Sequence, residues 1–223
     1  MAETRKAGRS RRQDERREKI LQAATEVFFK SGFAGASIDE VIAKVGGSKR
    51  TIYDYFGNKE ELFAAIVREI PARALPPLDA EEISTQDLET MLHEVGRRYL
   101  DVIMSPPALA LYRTMVAEGL RFPELAKAFF ESGPGRASAS LGAVLKQRRA
   151  AWRIAVDDCD RAAEQFLGMI RDDLHLRVVL GLRKPPGPKE AERTVAQAVA
   201  LFVRGCRPAE RPAGRGRNRS PSA

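Results

Sequence analysis

The stretch from Ser37 to Asn58, SIDEVIAKVGGSKRTIYDYFGN, limits what this chain can fold into more than any other. It reads as two short helices around a tight turn, with a third helix starting at once. Ser37 and Glu40 stand at capping-box spacing: the hydroxyl takes an early backbone N–H, and the glutamate reaches back to the Ser37 N–H. Ile38, Val41, Ile42 and Val45 fall at i, i+3, i+4 and i+7, one apolar face. Gly46-Gly47 ends that helix, because glycine accepts the positive φ of a sharp turn. Ser48 caps the next helix, in which Ile52 and Phe56 point inward. Lys49, Arg50, Thr51, Tyr53 and Tyr55 stay on or beside the outer surface. Asn58 with Glu61 three residues on marks the third start.

Two helices crossing steeply over a short turn make a helix-turn-helix, whose second helix can enter the major groove of DNA. That helix offers two cations, hydroxyls and two tyrosines, groups suited to phosphates and base edges. The same pattern also suits a helical hairpin in an ordinary α-bundle with a solvated basic face.

The 223 residues suit one domain of ordinary size plus a small one. Hydrophobic residues at 43% suffice for a core, and 30% charged residues argue against a membrane protein. The longest apolar runs fall far short of the ~20 residues of a membrane span. No signal-length apolar segment follows the basic N-terminus. Cys159 and Cys206 fit a reducing cytoplasm as idle thiols, a disulfide between them being the alternative. The net charge of +8 comes from the ends: residues 1–20 carry +4 and residues 204–223 carry +5, which leaves the body near neutral. Residues 1–13 read as a disordered basic arm, either solvated or adding phosphate and minor-groove contacts. Residues 207–223, rich in Arg, Pro and Gly, read as a disordered tail.

Helix 1 is predicted from about Asp14 to Ser31, with Ile20, Ala24, Val27 and Phe28 as its stripe and Gly32 as its end. Another helix begins at Lys59, turns Leu62, Phe63, Ile66 and Val67 inward and stops at Pro71. PARALPPLDAEE then marks the domain boundary. Helical patterning resumes at Ser84 and runs to Ile103. Shorter helices follow over 107–118, from Pro123, and over 136–150. Two long ones span Asp158–Leu180 and Lys189–Gly205. Their alanine-rich faces (Ala162, Ala163, Ala191, Ala198), with Val199 and Phe202, suit close approach of two copies in a four-helix interface. No strand pattern or internal repeat is present.

The run from Phe33 to Leu62 closely resembles the DNA-binding domain of the TetR/AcrR family of bacterial transcriptional regulators. Gly32-Phe33, Ala36-Ser37-Ile38, Gly46 to Ser48, Ile52-Tyr53, Tyr55-Phe56 and Asn58-Lys59-Glu60 with Leu62 match the family pattern. Gly47 departs from it where many members carry valine, and Arg50 where a small residue is frequent. The segments LYRTMVAEGLRFPELAKAFFESGP and DRAAEQFLGMIRDDLHLRVVLGL resemble the C-terminal ligand-binding and dimerisation domain of an AcrR/AefR-like branch. The resemblance implies an all-α protein: a helix-turn-helix domain at 14–70 and a helical ligand-binding and dimerisation bundle at 84–206. It implies a cytoplasmic regulator, most simply a repressor, that binds a palindromic double-stranded DNA operator as a homodimer. A small-molecule effector would release it. A constitutive DNA-binding protein without a ligand is the alternative.

Ser37, Lys49, Tyr55 and Lys59 are the phosphate candidates, and Ser48 is a further DNA-binding candidate. Arg50, Thr51 and Tyr53 are the candidates for base edges. By resemblance Tyr53 and Lys59 are the safest. For the effector, Tyr99, Tyr112, Met115, Phe166 and Met169 are the candidate lining, and a mainly apolar or aromatic molecule suits them because no cluster of charges marks a polar site. No catalytic set, metal cluster or cofactor motif stands out. His93 and His175 are the two histidines, and they lie far apart in sequence.

Overall fold

The computed structural model describes residues 2–74 and 86–207, with side chains at 11–71 and 86–207. The chain begins with α1 (Ala2–Gly35), followed by α2 (Ile38–Val45), α3 (Lys49–Phe56) and α4 (Lys59–Ala74). Helix α1 starts at Ala2, so residues 2–13 are helical rather than the disordered arm predicted. Proline-free sequence rich in Arg, Glu and Ala favours this, with an i,i+4 pair at Arg11–Glu15. Gly32, at φ 69° and ψ 174°, breaks α1 where the sequence placed its end, and one further turn reaches Gly35.

Helix α4 continues through Pro71 to Ala74, past the stop predicted at Ile70. Proline removes the N–H that would bond the carbonyl four residues earlier. That carbonyl, of Val67, instead lies 3.1 Å from the Ser132 hydroxyl, whose one proton it shares with Ala128 O at 2.6 Å. The rest of the predicted linker, and the tail beyond Arg207, lie outside the described residues.

The body comprises α5 (Leu88–Ile103), α6 (Pro106–Glu118), α7 (Pro123–Ser132), α8 (Pro134–Arg148), α9 (Cys159–Val179) and α10 (Pro188–Cys206). Asp87, Ser105 and Asp158 cap α5, α6 and α9 through their side chains. Prolines open α6, α7, α8 and α10, where a missing N–H costs nothing. Helix α9 is interrupted at Asp172, whose φ is 42°. Among the described residues there is no strand, and no helix is long and apolar enough to cross a membrane.

Two cores hold these helices. The first joins α1–α4 to Leu111 and Met115 of α6 and Leu125 of α7. Its centre is aromatic: Phe63 lies 4.9 Å from Phe28 and 5.0 Å from Phe33, and Phe33 meets the edge of Phe122 at 4.6 Å. The N-terminal helices therefore share packing with the body as well as covalent linkage. The second core draws on α5, α8, α9 and α10, with Phe166 against Phe202 at 5.1 Å. Ala162, Ala163, Ala191, Ala198, Val199 and Phe202 all lie inside it. They pack α9 and α10 within one protomer, which corrects their assignment to a face between two copies. Cys159 and Cys206 are buried free thiols in the same core.

Candidate nucleic-acid interface and buried cavity

Helix α2 has the capping box its sequence predicts. The Asp39 N–H donates to Ser37 Oγ at 3.1 Å, and the Ser37 N–H donates to Glu40 Oε2 at 3.4 Å. At its other end Gly46 and Gly47 take φ of 71° and 103°. Arg16 of α1 reaches over this turn and donates to Val45 O at 2.9 Å and Gly46 O at 2.6 Å. A Cβ at Gly47 would stand 3.1 Å from the Arg16 guanidinium, so the residue that departs from the family pattern leaves room for this clamp. The clamp also puts a cation on the carbonyl end of α2, where the helix dipole favours it.

Helix α3 is short and capped by Ser48, whose Oγ accepts from the Thr51 N–H at 3.2 Å and lies 3.1 Å from Thr51 Oγ1. Ile52 and Phe56 are buried, so the helix turns Arg50, Tyr53 and Asp54 to solvent. Arg50 makes no ion pair among the described residues. Tyr53 is 39% exposed, while Tyr55 is half-buried beside Phe56. Lys49 pairs with Asp39 at 2.8 Å, and the hydrogen bond and charge of that carboxylate raise its pKa. Lys59 lies over the Phe33 ring at 4.9 Å and donates to Ala34 O at 3.4 Å, closing the end of α1. Ser37, Ser48, Lys49, Arg50, Thr51, Tyr53 and Lys59 thus occupy α2, the turn, α3 and the start of α4. Two of the cations already hold partners that a phosphate would have to replace.

A cavity of about 80 Å³ lies between this unit and the body. Its walls are Ile70 and Pro71 of α4, Tyr99, Val102 and Ile103 of α5, Ala108, Leu111 and Tyr112 of α6, Phe129 of α7, Gly133 and Pro134, and Arg171 and His175 of α9. Tyr99 and Tyr112 of the predicted lining are here. Met115 is instead in the first core, Phe166 in the second, and Met169 packs against the second. Helical spacing gave these three an inward face without telling which interior they face. Arg171 and His175 were missed, and Arg171 brings a single charge to a site where the sequence marked no cluster of charges. His175 meets the edge of Tyr112 at 4.8 Å. Burial, then the charges of Arg171 and Arg113, push its pKa down to about 4. No group of three or more His, Cys, Asp or Glu suited to a metal occurs among the described residues.

Comparison with known proteins bears on both regions. Residues 20–66 match the family described as bacterial regulatory proteins, tetR family. Residues 90–206 match the AefR-like transcriptional repressor C-terminal domain. The transcriptional repressor NicS of Pseudomonas putida is 42% identical over 71 residues, 31% of this chain and 34% of NicS. The transcriptional activator FasR of Mycolicibacterium smegmatis is 41% identical over 71 residues, 30% of this chain and 32% of FasR. The chain thus spans about a third of the length of these relatives. Solved structures match further. The flavonoid-responsive regulator FrrA is 31% identical, with a TM-score of 0.75 over 88% of this chain and 100% of FrrA. A putative TetR-family regulator from Mesorhizobium loti is 26% identical, with a TM-score of 0.76 over 86% of this chain and 96% of its own.

Proposed function

The chain belongs to the TetR family of bacterial regulatory proteins, and on that premise we propose that it is a transcriptional repressor that binds a palindromic operator as a homodimer and is released by a small ligand in the cavity. Helix α3 enters the major groove. Arg50, Thr51 and Tyr53 read bases, while Ser37, Ser48, Lys49, Tyr55 and Lys59 hold phosphates. The repressing sense follows the AefR-like C-terminal domain and the likeness to NicS; FasR, an activator, marks the other sense within the same similarity.

The observation that carries ligand release is the presence of Ile70 and Pro71 in the cavity wall. Both belong to α4, which starts at Lys59 beside the DNA-facing residues. A ligand that widens the cavity therefore displaces α4, and α4 carries α3 with it through the shared core of Ile52, Phe56, Phe63 and Val67. Two recognition helices must stand about 34–36 Å apart to enter successive major grooves, so a shift of a few Å costs one of the two contacts. The likeness to the flavonoid-responsive FrrA supports an aromatic effector.

The dimer face we propose is the outer side of α9, the turn that follows it and α10, where Leu176, Leu180, Leu182 and Leu201 are 54%, 62%, 73% and 62% exposed. Apolar side chains this exposed and this close in sequence suit burial against a second copy. Fluorescence anisotropy with DNA from upstream of the gene tests the core of the proposal. Specific binding that falls steeply with salt is expected. Equal affinity for scrambled DNA would leave a constitutive, non-selective DNA binder instead.

A further inference from the structure

The cavity has one chemical imbalance. Among the described residues its wall contains two basic side chains, Arg171 and His175, and no carboxylate. Arg171 forms no ion pair among those residues. Two acids close to it along α9 are engaged elsewhere: Asp173 accepts from Arg177 at 2.8 Å, and Glu164 accepts from Arg161 at 2.9 Å. Arg113, the other cation felt by His175, donates to the carbonyls of Val178 and Val179 at the C-terminal end of α9, both at 2.8 Å, and makes no ion pair among the described residues. The pKa of His175 is depressed first by burial and only then by the charges of Arg171 and Arg113. The rest of the wall is largely apolar and aromatic, with Pro71, Ile103, Leu111 and Phe129, and with Tyr112 edge-on to both Phe129 at 6.3 Å and His175 at 4.8 Å.

We propose, on the reading of this cavity as the effector site, that its ligand is a single-ring aromatic carboxylate whose ring lies against Tyr112, Phe129 and Pro71 and whose charge meets Arg171. Charge sets the first part of this assignment. A guanidinium with no counter-charge is suited to bidentate pairing with a carboxylate. Size sets the second. An apolar cavity of roughly 150 Å³ holds benzene, and drug-sized ligands occupy ~300–1,000 Å³. A cavity of about 80 Å³ therefore has to widen about twofold for one ring and at least about fourfold for a drug-sized, three-ring molecule. The way in is the groove between α8 and α9, which shares Tyr99, Pro134 and Arg171 with the cavity and whose lining also includes Lys146, Asp160 and Glu164. Arg171 is exposed and lines both the groove and the cavity.

The test is calorimetric titration of the full chain, without DNA, with sodium benzoate and with its neutral isostere benzamide. Wild type is expected to bind benzoate at least roughly tenfold more tightly than benzamide. Arg171→Gln is expected to remove that difference while leaving benzamide affinity unchanged, and Arg171→Lys to keep part of it. Because Arg171 is exposed, both variants should retain the wild-type circular dichroism. The proposal is overturned if benzamide binds as well as benzoate, if the preference survives in Arg171→Gln, or if neither compound binds at up to about 10 mM. Operator binding measured on the same samples before any ligand is added reports separately on the DNA-binding reading.

Discussion

Single residues in this protein already show which contacts must be exchanged for it to meet DNA. Arg50 is exposed on α3 with no ion-pair partner among the described residues, so replacing it removes no internal contact. Arg50→Ala is expected to change sequence preference, by about 1–3 kcal/mol if the guanidinium reads a base bidentately, as a panel of operator variants would record. Lys49 is different, because Asp39 holds it at 2.8 Å. Asp39→Asn releases the lysine and removes an anion from the DNA-facing surface. Binding to both operator and random DNA should tighten, most at low salt, while the melting temperature drops slightly for loss of an acid in the first turn of α2. Weaker DNA binding by this variant would contradict the arrangement.

His175 gives a prediction about pH at the same scale. It faces Tyr112 edge-on, with Arg171 on its own helix and Arg113 from α6 as the nearby charges. Its folded pKa of about 4 lies below the ordinary imidazole value of 6.5, so between those values the unfolded chain binds the extra proton. The stability that this buried neutral imidazole maintains is complete above pH 6.5 and is lost as pH falls toward 4. Between pH 7 and pH 5 the loss should be roughly 1–2 kcal/mol, read as a fall in urea midpoint. His175→Gln should show a shallower fall over the same interval, and an equal fall would mean that His175 does not carry the dependence.

Among the elements, α4 depends most on a distant residue. Its Pro71 deprives the Val67 carbonyl of a helical partner, and Ser132 of α7 supplies a hydroxyl in its place. Ser132→Ala should cost about 1–2 kcal/mol in denaturant unfolding. The same change in a Pro71→Ala background should cost clearly less, because the restored N–H bonds Val67. Equal costs in both backgrounds would show that the hydroxyl is not the substitute. This bond also marks the boundary of what the sequence could tell. The caps of α2 and α3 and the glycine turn were legible because Ser37, Glu40, Gly46, Gly47 and Ser48 act on backbone within a few residues of themselves. Helix α4 beyond Pro71 was not, since its rescue comes from far along the chain. The Arg16 clamp on the end of α2 was missed for the same reason. Alanines at helical spacing told that α9 and α10 pack closely, but not that they pack on each other within one protomer. The cavity takes walls from α4, α5, α6, α7 and α9, so Tyr99 and Tyr112 were found as aromatic residues while Arg171 and His175 looked like ordinary surface and lone histidine.

Across the whole molecule, the claim is that two copies act as one reader of DNA. The outer leucines of α9 and α10 and the buried residues beneath them should behave differently when charged. Leu201→Glu, at a position 62% exposed, is expected to give folded monomers in sedimentation. Phe202→Glu, at 6% exposed, is expected to unfold the second core instead, because a carboxylate there has no partner and no water. A folded, dimeric Leu201→Glu protein would move the interface elsewhere. Linking two modest half-site contacts raises affinity well beyond either alone, so the monomer should lose operator binding even with α3 intact.

Footprinting of the DNA flanking the gene, with wild type beside Arg50→Ala, tests the central claim most directly. Two protected half-sites related by a dyad are predicted, with centres about 10–10.5 base pairs or a multiple of that apart, and protection by the variant should weaken or move to altered sequences. Protection no different from that on unrelated DNA, or a footprint that Arg50→Ala leaves unchanged, would contradict the assignment of α3 as the recognition helix of a dimeric regulator.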